Sequence, residues 1–188
     1  MNWNEYLELS EKTMSKEFFS DDKRDQFLLH AVMGVLTEVE ELIQNDKKEN
    51  PDSVNLLEEV GDITWYLAIL GREVGVNWRP SYREIWGLVD NAPNNYLLDI
   101  VEHSCSLLDF LKKKLFYNKP INEESFAQKT QNLFDSVSCY LSVNNLDPSK
   151  VFDININKLK ARYGEKFSTE RAINRDLETE RVILESGK

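Results

Sequence analysis

Two runs of apolar residues in steps of three and four constrain this chain more than anything else in it. Leu28, Val32, Val35, Val39 and Leu42 form the first run, and Leu56, Val60, Ile63, Leu67, Leu70 and Val74 form the second. Residues so spaced share one stripe of an α-helix, and that stripe needs a facing partner to leave water. The link between the runs, residues 45–52, is short and therefore predicts an antiparallel hairpin. Helical spacing continues through most of the chain without convincing strand alternation. Seven glycines and five prolines in 188 residues interrupt it rarely. The predicted class is all-α, an antiparallel helical bundle. Helices are expected over 3–18, 24–45, 53–75, 80–90, 95–116, 122–142, 148–163 and 169–185. Asp147-Pro148 supplies an N-cap and a first-turn proline, and Tyr163-Gly164 supplies a stop.

Composition and charge exclude several functions. With 41% hydrophobic and 30% charged residues, the chain can bury a sizeable core and keep a solvated surface. No apolar run nears the ~20 residues that a bilayer span needs, and the first residues lack a signal-peptide pattern. A cytoplasmic protein without a membrane partner is expected. A net charge of −10 offers no basic footprint for duplex nucleic acid. Cys105 and Cys139 are too few for a disulfide scaffold and read as reduced core thiols. His30 and His103 do not make a zinc set, and neither a glycine-rich phosphate loop nor a nucleophile elbow occurs. Trp3, Trp65, Trp78 and Trp86 read as core or interface residues rather than stacking platforms.

Chemistry concentrates in two acidic pairs, Glu38 with Glu41 and Glu59 with Asp62. Each pair is spaced i, i+3 and so points one way, at the shoulder of an apolar seam. Glu40 falls on the far side and is expected to face water. At ~4 Å and an effective dielectric near 20, a like-charge pair costs on the order of 4 kcal/mol. Four carboxylates meeting across two helices therefore require a divalent cation or protonation. All-oxygen ligands suit Mg²⁺, with Mn²⁺ as an alternative. The competing reading is a solvated acidic face. Tyr66 shares the stripe of Glu59 and Asp62. Gly34, a poor helix former, marks a close approach of another backbone or a substrate. Further on, Phe152, Ile156, Leu159 and Tyr163 predict the apolar seam of a helix, with Asn155, Lys158 and Arg162 on its shoulder. Those three are either phosphate contacts or a basic turn favoured by the helix dipole.

Taken together, these residues resemble the MazG-like, all-α nucleoside triphosphate pyrophosphohydrolases. The likeness lies in Gly34 followed by Glu38-Val39-Glu40-Glu41, then Glu58-Glu59-Val60-Gly61-Asp62 with Trp65 and Tyr66. Asn4 to Tyr6 with Thr13 resembles the first helix of bacterial members, and Asn155 to Tyr163 the family's C-terminal N-x-x-K-L-x-x-R-Y element. About 1–78 and 143–165 are covered. The resemblance implies an all-α NTP pyrophosphatase bundle that cleaves the α–β phosphoanhydride of a (deoxy)nucleoside triphosphate, giving a monophosphate and pyrophosphate. It also implies that Glu38, Glu41, Glu59 and Asp62 are the catalytic set that holds Mg²⁺. Asn155, Lys158 and Arg162 would contact the substrate, with Tyr66 lining the pocket, and a homodimer is expected.

Two departures from the family pattern shape the expectation. Thr37 stands where many members carry the first glutamate of E-E-x-x-E, which leaves the metal count and the general base open. Residues 79–142 have no counterpart in typical short members and read as a degenerate copy of the helical hairpin. In that copy Leu97 to Val101 echoes Leu28 to Val32, and Leu107 and Phe110 replace Glu38 and Glu41. The chain is thus expected to be one all-α domain over 1–188. A motif-bearing half, 24–90, packs on a motif-free half, 94–163, that stands in for a neighbouring subunit and presents Lys158 and Arg162. A polar helix, 169–188, completes it. Other readings are a non-catalytic nucleotide- or metal-binding module and a structural interaction protein.

Overall fold

The computed structural model describes residues 2–78, 95–164 and 166–186, and every regular element among them is an α-helix. These are α1 (Trp3–Thr13), α2 (Lys23–Asp46), α3 (Ser53–Val74), α4 (Tyr96–Tyr117), α5 (Glu123–Val143), α6 (Pro148–Tyr163), α7 (Thr169–Ile173) and α8 (Leu177–Glu185). The expected helix over 80–90, with Trp86, lies outside the described residues. Local chemistry sets most boundaries. Asp22, Asp52, Asn95, Asn122 and Asp147 each accept a backbone N–H from the first turn they precede, a cap worth about 1 kcal/mol. Left-handed Gly75 and Asn118 end α3 and α4.

The apolar seams meet as their spacing requires. All five residues of the α2 run are fully buried, as are Val60, Ile63, Leu67 and Leu70 of α3 to within 1%. The two helices are antiparallel, with Glu38 beside Glu59, Gly34 against Tyr66, and Asn45 hydrogen-bonded to the backbone of Asp52. A second hairpin, α4 with α5, packs on the first, α2 against α4 and α3 against α5. Its Leu107, Leu111, Phe126 and Phe134 join the same core. Leu107 is fully buried and Phe110 meets Phe126 edge to face, so apolar packing stands where the first hairpin carries carboxylates. At the bundle's end, buried Asp25 accepts from Lys114 Nζ at 2.6 Å and from Ser20 Oγ, tying α2 to α4. No helix among the described residues is long and apolar enough to cross a membrane.

Three expectations fail locally. The first helix stops at Thr13 rather than 18, because the next residues bond to the end of α4. Ser15 Oγ donates to the Phe116 carbonyl and the Phe19 N–H to that of Leu115, satisfying carbonyls that a helix end leaves open. The last helix breaks at Asn174 to Asp176, where Asp176 caps α8 by accepting from the N–H and hydroxyl of Thr179. Finally, Cys105 is exposed and Cys139 only half-buried, so neither is a core thiol.

Candidate active site

Three of the four acids meet at the α2–α3 seam. Glu38, Glu41 and Glu59 each offer a carboxylate oxygen, and these oxygens lie within 4.8 Å of one another. Depth increases across the group: Glu41 is exposed, Glu38 half-buried and Glu59 buried. Asn55, one turn before Glu59 on the same face, donates Nδ2 to Glu59 Oε1 at 2.7 Å and fixes its rotamer. Burial, then the hydrogen bond it donates to Glu38 and the charges of Glu41 and Glu58, push the Glu59 carboxyl up to about 9. Burial also raises Glu38; the Glu59 hydrogen bond opposes this, while Asp62 and Glu41 add to it. The pair therefore shares a proton, the relief that clustered carboxylates take without a cation. An all-oxygen set that must hold a proton to coexist fits a hard divalent cation.

Asp62 has a different environment from the other three. Its Oδ1 accepts from Asn155 Nδ2 at 2.7 Å and its Oδ2 from Lys158 Nζ at 2.6 Å. Both donors belong to α6, which approaches because Gly61 carries no side chain; a Cβ there would stand 3.0 Å from Asn155 Nδ2. Lys158 also reaches Glu58 Oε1 at 3.4 Å and is fully buried.

This reverses the expected orientation of α6. Phe152 and Ile156 are exposed, whereas Val151, Ile154, Asn155 and Lys158 are buried. The face nominated as a shoulder is the packed face, because the carboxylates of α3 pair with its amide and ammonium groups. A buried ammonium needs such partners; an apolar stripe can stay partly exposed at modest cost.

Arg162 is engaged from the opposite side. Its Nε and Nη2 donate to Glu180 Oε1 and Oε2 of α8 at 2.8 and 2.6 Å. Arg175 donates Nη2 to Glu180 at 2.6 Å and to Glu58 at 2.9 Å. An ionic chain thus runs from Asp62 through Lys158, Glu58, Arg175 and Glu180 to Arg162. Asn55, Glu58, Arg175 and Glu180 were not nominated from sequence. Only Asn55 carried a local signal, its i, i+4 relation to Glu59; the others pair across as many as 117 residues.

The remaining residues surround the carboxylates. The Tyr66 ring fills the space above Gly34, where a Cβ would come within 2.3 Å of it. The close approach that Gly34 permits is therefore that of a tyrosine ring. Edge contacts to His30 and Trp65 hold the ring, and burial, then the charges of Glu38 and Asp62, raise its hydroxyl pKa. Thr37 turns its Oγ1 to the Gly34 carbonyl at 2.9 Å, within its own helix. Glu40 is exposed, as expected. No protein-family model matches the chain, and no match is found among curated proteins or solved structures.

Proposed function

We propose that this chain is a Mg²⁺-dependent nucleotide pyrophosphohydrolase that converts a (deoxy)nucleoside triphosphate to the monophosphate and pyrophosphate in a bundle of the all-α NTP pyrophosphatase type. One observation carries the reading: the carboxylates of Glu38, Glu41 and Glu59 converge, with Asp62 one turn along α3. These four residues would hold Mg²⁺ or Mn²⁺, and the bound ion supplies polarisation of phosphoryl oxygens. Glu38 and Glu59 would give up their shared proton to hold the cation. Asn155 and Lys158 fix Asp62, and Lys158 acts through that carboxylate because it is sealed from solvent. Arg162 meets a phosphate only by leaving Glu180, whereas Arg175, 35% exposed, lies nearer solvent. Tyr66 borders the carboxylates. The reading includes a cytoplasmic homodimer, supported by the exposed Trp3, Tyr6, Leu7 and Met14 of the N-terminal segment.

Pyrophosphate release across a panel of ribo- and deoxynucleotides, with and without Mg²⁺, tests the reading. Glu59→Gln is expected to stay folded, lose turnover and lose the Mg²⁺-dependent rise in Tm. Unchanged activity in that variant would remove Glu59 from the site. A second reading, cation-dependent nucleotide binding without turnover, draws on Thr37, whose hydroxyl is spent within its helix. It predicts the Tm rise without pyrophosphate release. A structural protein would show neither.

A further inference from the structure

Two guanidinium groups close on one carboxylate where α8 meets α6. Arg162 donates Nε to Glu180 Oε1 and Nη2 to Oε2, the forked pattern that a guanidinium also makes with phosphate. Arg175 adds Nη2 at 2.6 Å and Nε at 3.2 Å to the same Oε2. Two cations on one carboxylate leave an excess of positive charge, in a chain whose net charge is −10. Glu58 offsets only part of it, because its Oε1 is shared between Arg175 and Lys158.

Little apolar surface holds α8 in place. It has nine residues, fewer than a helix needs to persist alone in water. Glu180 and Leu184 are its buried residues. Leu184 packs with Val54 and Ile154 in a cluster separate from the main core, whereas Leu177 and Val182 are exposed. The Arg181–Asp52 bridge is partly solvated and adds little. Closure of α8 therefore depends on Glu180 keeping other anions from the two arginines. A polyphosphate competes well, since it carries more charge than a carboxylate and offers oxygens to both guanidinium forks. Segments with few buried apolar contacts also open locally at low cost. We infer that Arg162 and Arg175 form a binding site for a phosphate-type oxyanion, that Glu180 fills it in the closed chain, and that α8 is a strap released when the ligand enters. The choice of a phosphate ligand rests on the function proposed above; the strap rests on the contacts of α8.

The test uses the full chain without divalent cation and inorganic pyrophosphate as the probe, with sodium chloride at equal ionic strength as the control. Amide hydrogen exchange is followed along the chain. Pyrophosphate should speed exchange over Leu177–Glu185 and leave the α2–α3 seam unchanged, and chloride should do neither. Glu180→Gln removes the competing charge and should tighten pyrophosphate binding by roughly tenfold, while Arg175→Gln should weaken it by about as much. Leu184→Ala loosens the strap without touching either arginine, so it too should tighten binding. A Glu180 that serves packing alone would give three less stable variants with unchanged affinity, which overturns the assignment. Exchange over α8 that pyrophosphate leaves unchanged also overturns it. So does tightening in neither Glu180→Gln nor Leu184→Ala, or undiminished affinity in Arg175→Gln. A chain that opens for pyrophosphate but releases none from any triphosphate keeps the strap and loses the proposed activity.

Discussion

At the scale of single residues, two positions carry sharp expectations. Gly34 is small because the Tyr66 ring occupies the place of a Cβ. Gly34→Ala gains ~1 kcal/mol of helix propensity but forces the ring aside, and overpacking typically costs about 1–3 kcal/mol. Urea titration should show net destabilisation, with much of it recovered when Tyr66→Leu is added. Equal loss in the single and double variants would sink that account. For Glu59 the sign follows from its folded pKa of about 9, above its ordinary 4.5. The native state holds the extra proton, so the group's presence lowers stability progressively as pH rises from about 4.5 to 9. In the presence of a chelator, Glu59→Gln should therefore melt higher than the wild type at pH 8 and equally near pH 4.5. Parallel melting curves at both pH values would refute it.

At the scale of helices, α6 and α8 are held largely by charge. Lys158→Met leaves Glu58 and Asp62 without their buried cation, a loss of about 3–5 kcal/mol by the usual cost of breaking a buried pair. A variant of undiminished stability whose nucleotide affinity falls would make Lys158 a phosphate contact instead. Glu180 binds α8 to α6: burial pushes its carboxyl up, but the hydrogen bonds from Arg162 and Arg175 outweigh that and hold it at about 2. Because the folded value lies below the ordinary 4.5, its contribution is present above about pH 4.5 and fades as pH falls toward 2. Acid melts should show this loss in the wild type and a flatter profile in Glu180→Gln, which starts lower by roughly 2–3 kcal/mol at pH 7. Coincident acid limbs would mean that the Glu180 contacts do not hold α8.

For the whole molecule, the motif-bearing hairpin does not own its core. Leu28, Val35 and Leu67 share one cluster with Leu107, Leu111, Phe126 and Phe134 of the second hairpin. A fragment ending at residue 78 should therefore lack cooperative melting and bind a hydrophobic dye. Cooperative unfolding and turnover by that fragment would dispose of the built-in-partner idea.

Much of this architecture was legible because the information is local. Steps of three and four fixed the α2 and α3 seams, and Asp147-Pro148 fixed where α6 begins. Other features depended on distant residues. The helical period of α6 is written in its sequence, yet its more apolar stripe is not its most buried face. Gly61 opened the space and the carboxylates of α3 favoured Asn155 and Lys158 over Phe152 and Ile156. Likewise Arg162 is taken up by Glu180, 18 positions along and beyond a helix break. The sequence alone determined the all-α class, the α2–α3 seam and the pairing of acids along it, since each follows from periodicity and i, i+3 geometry. Only the tertiary structure decided which charges meet, because a salt bridge depends on distance in space.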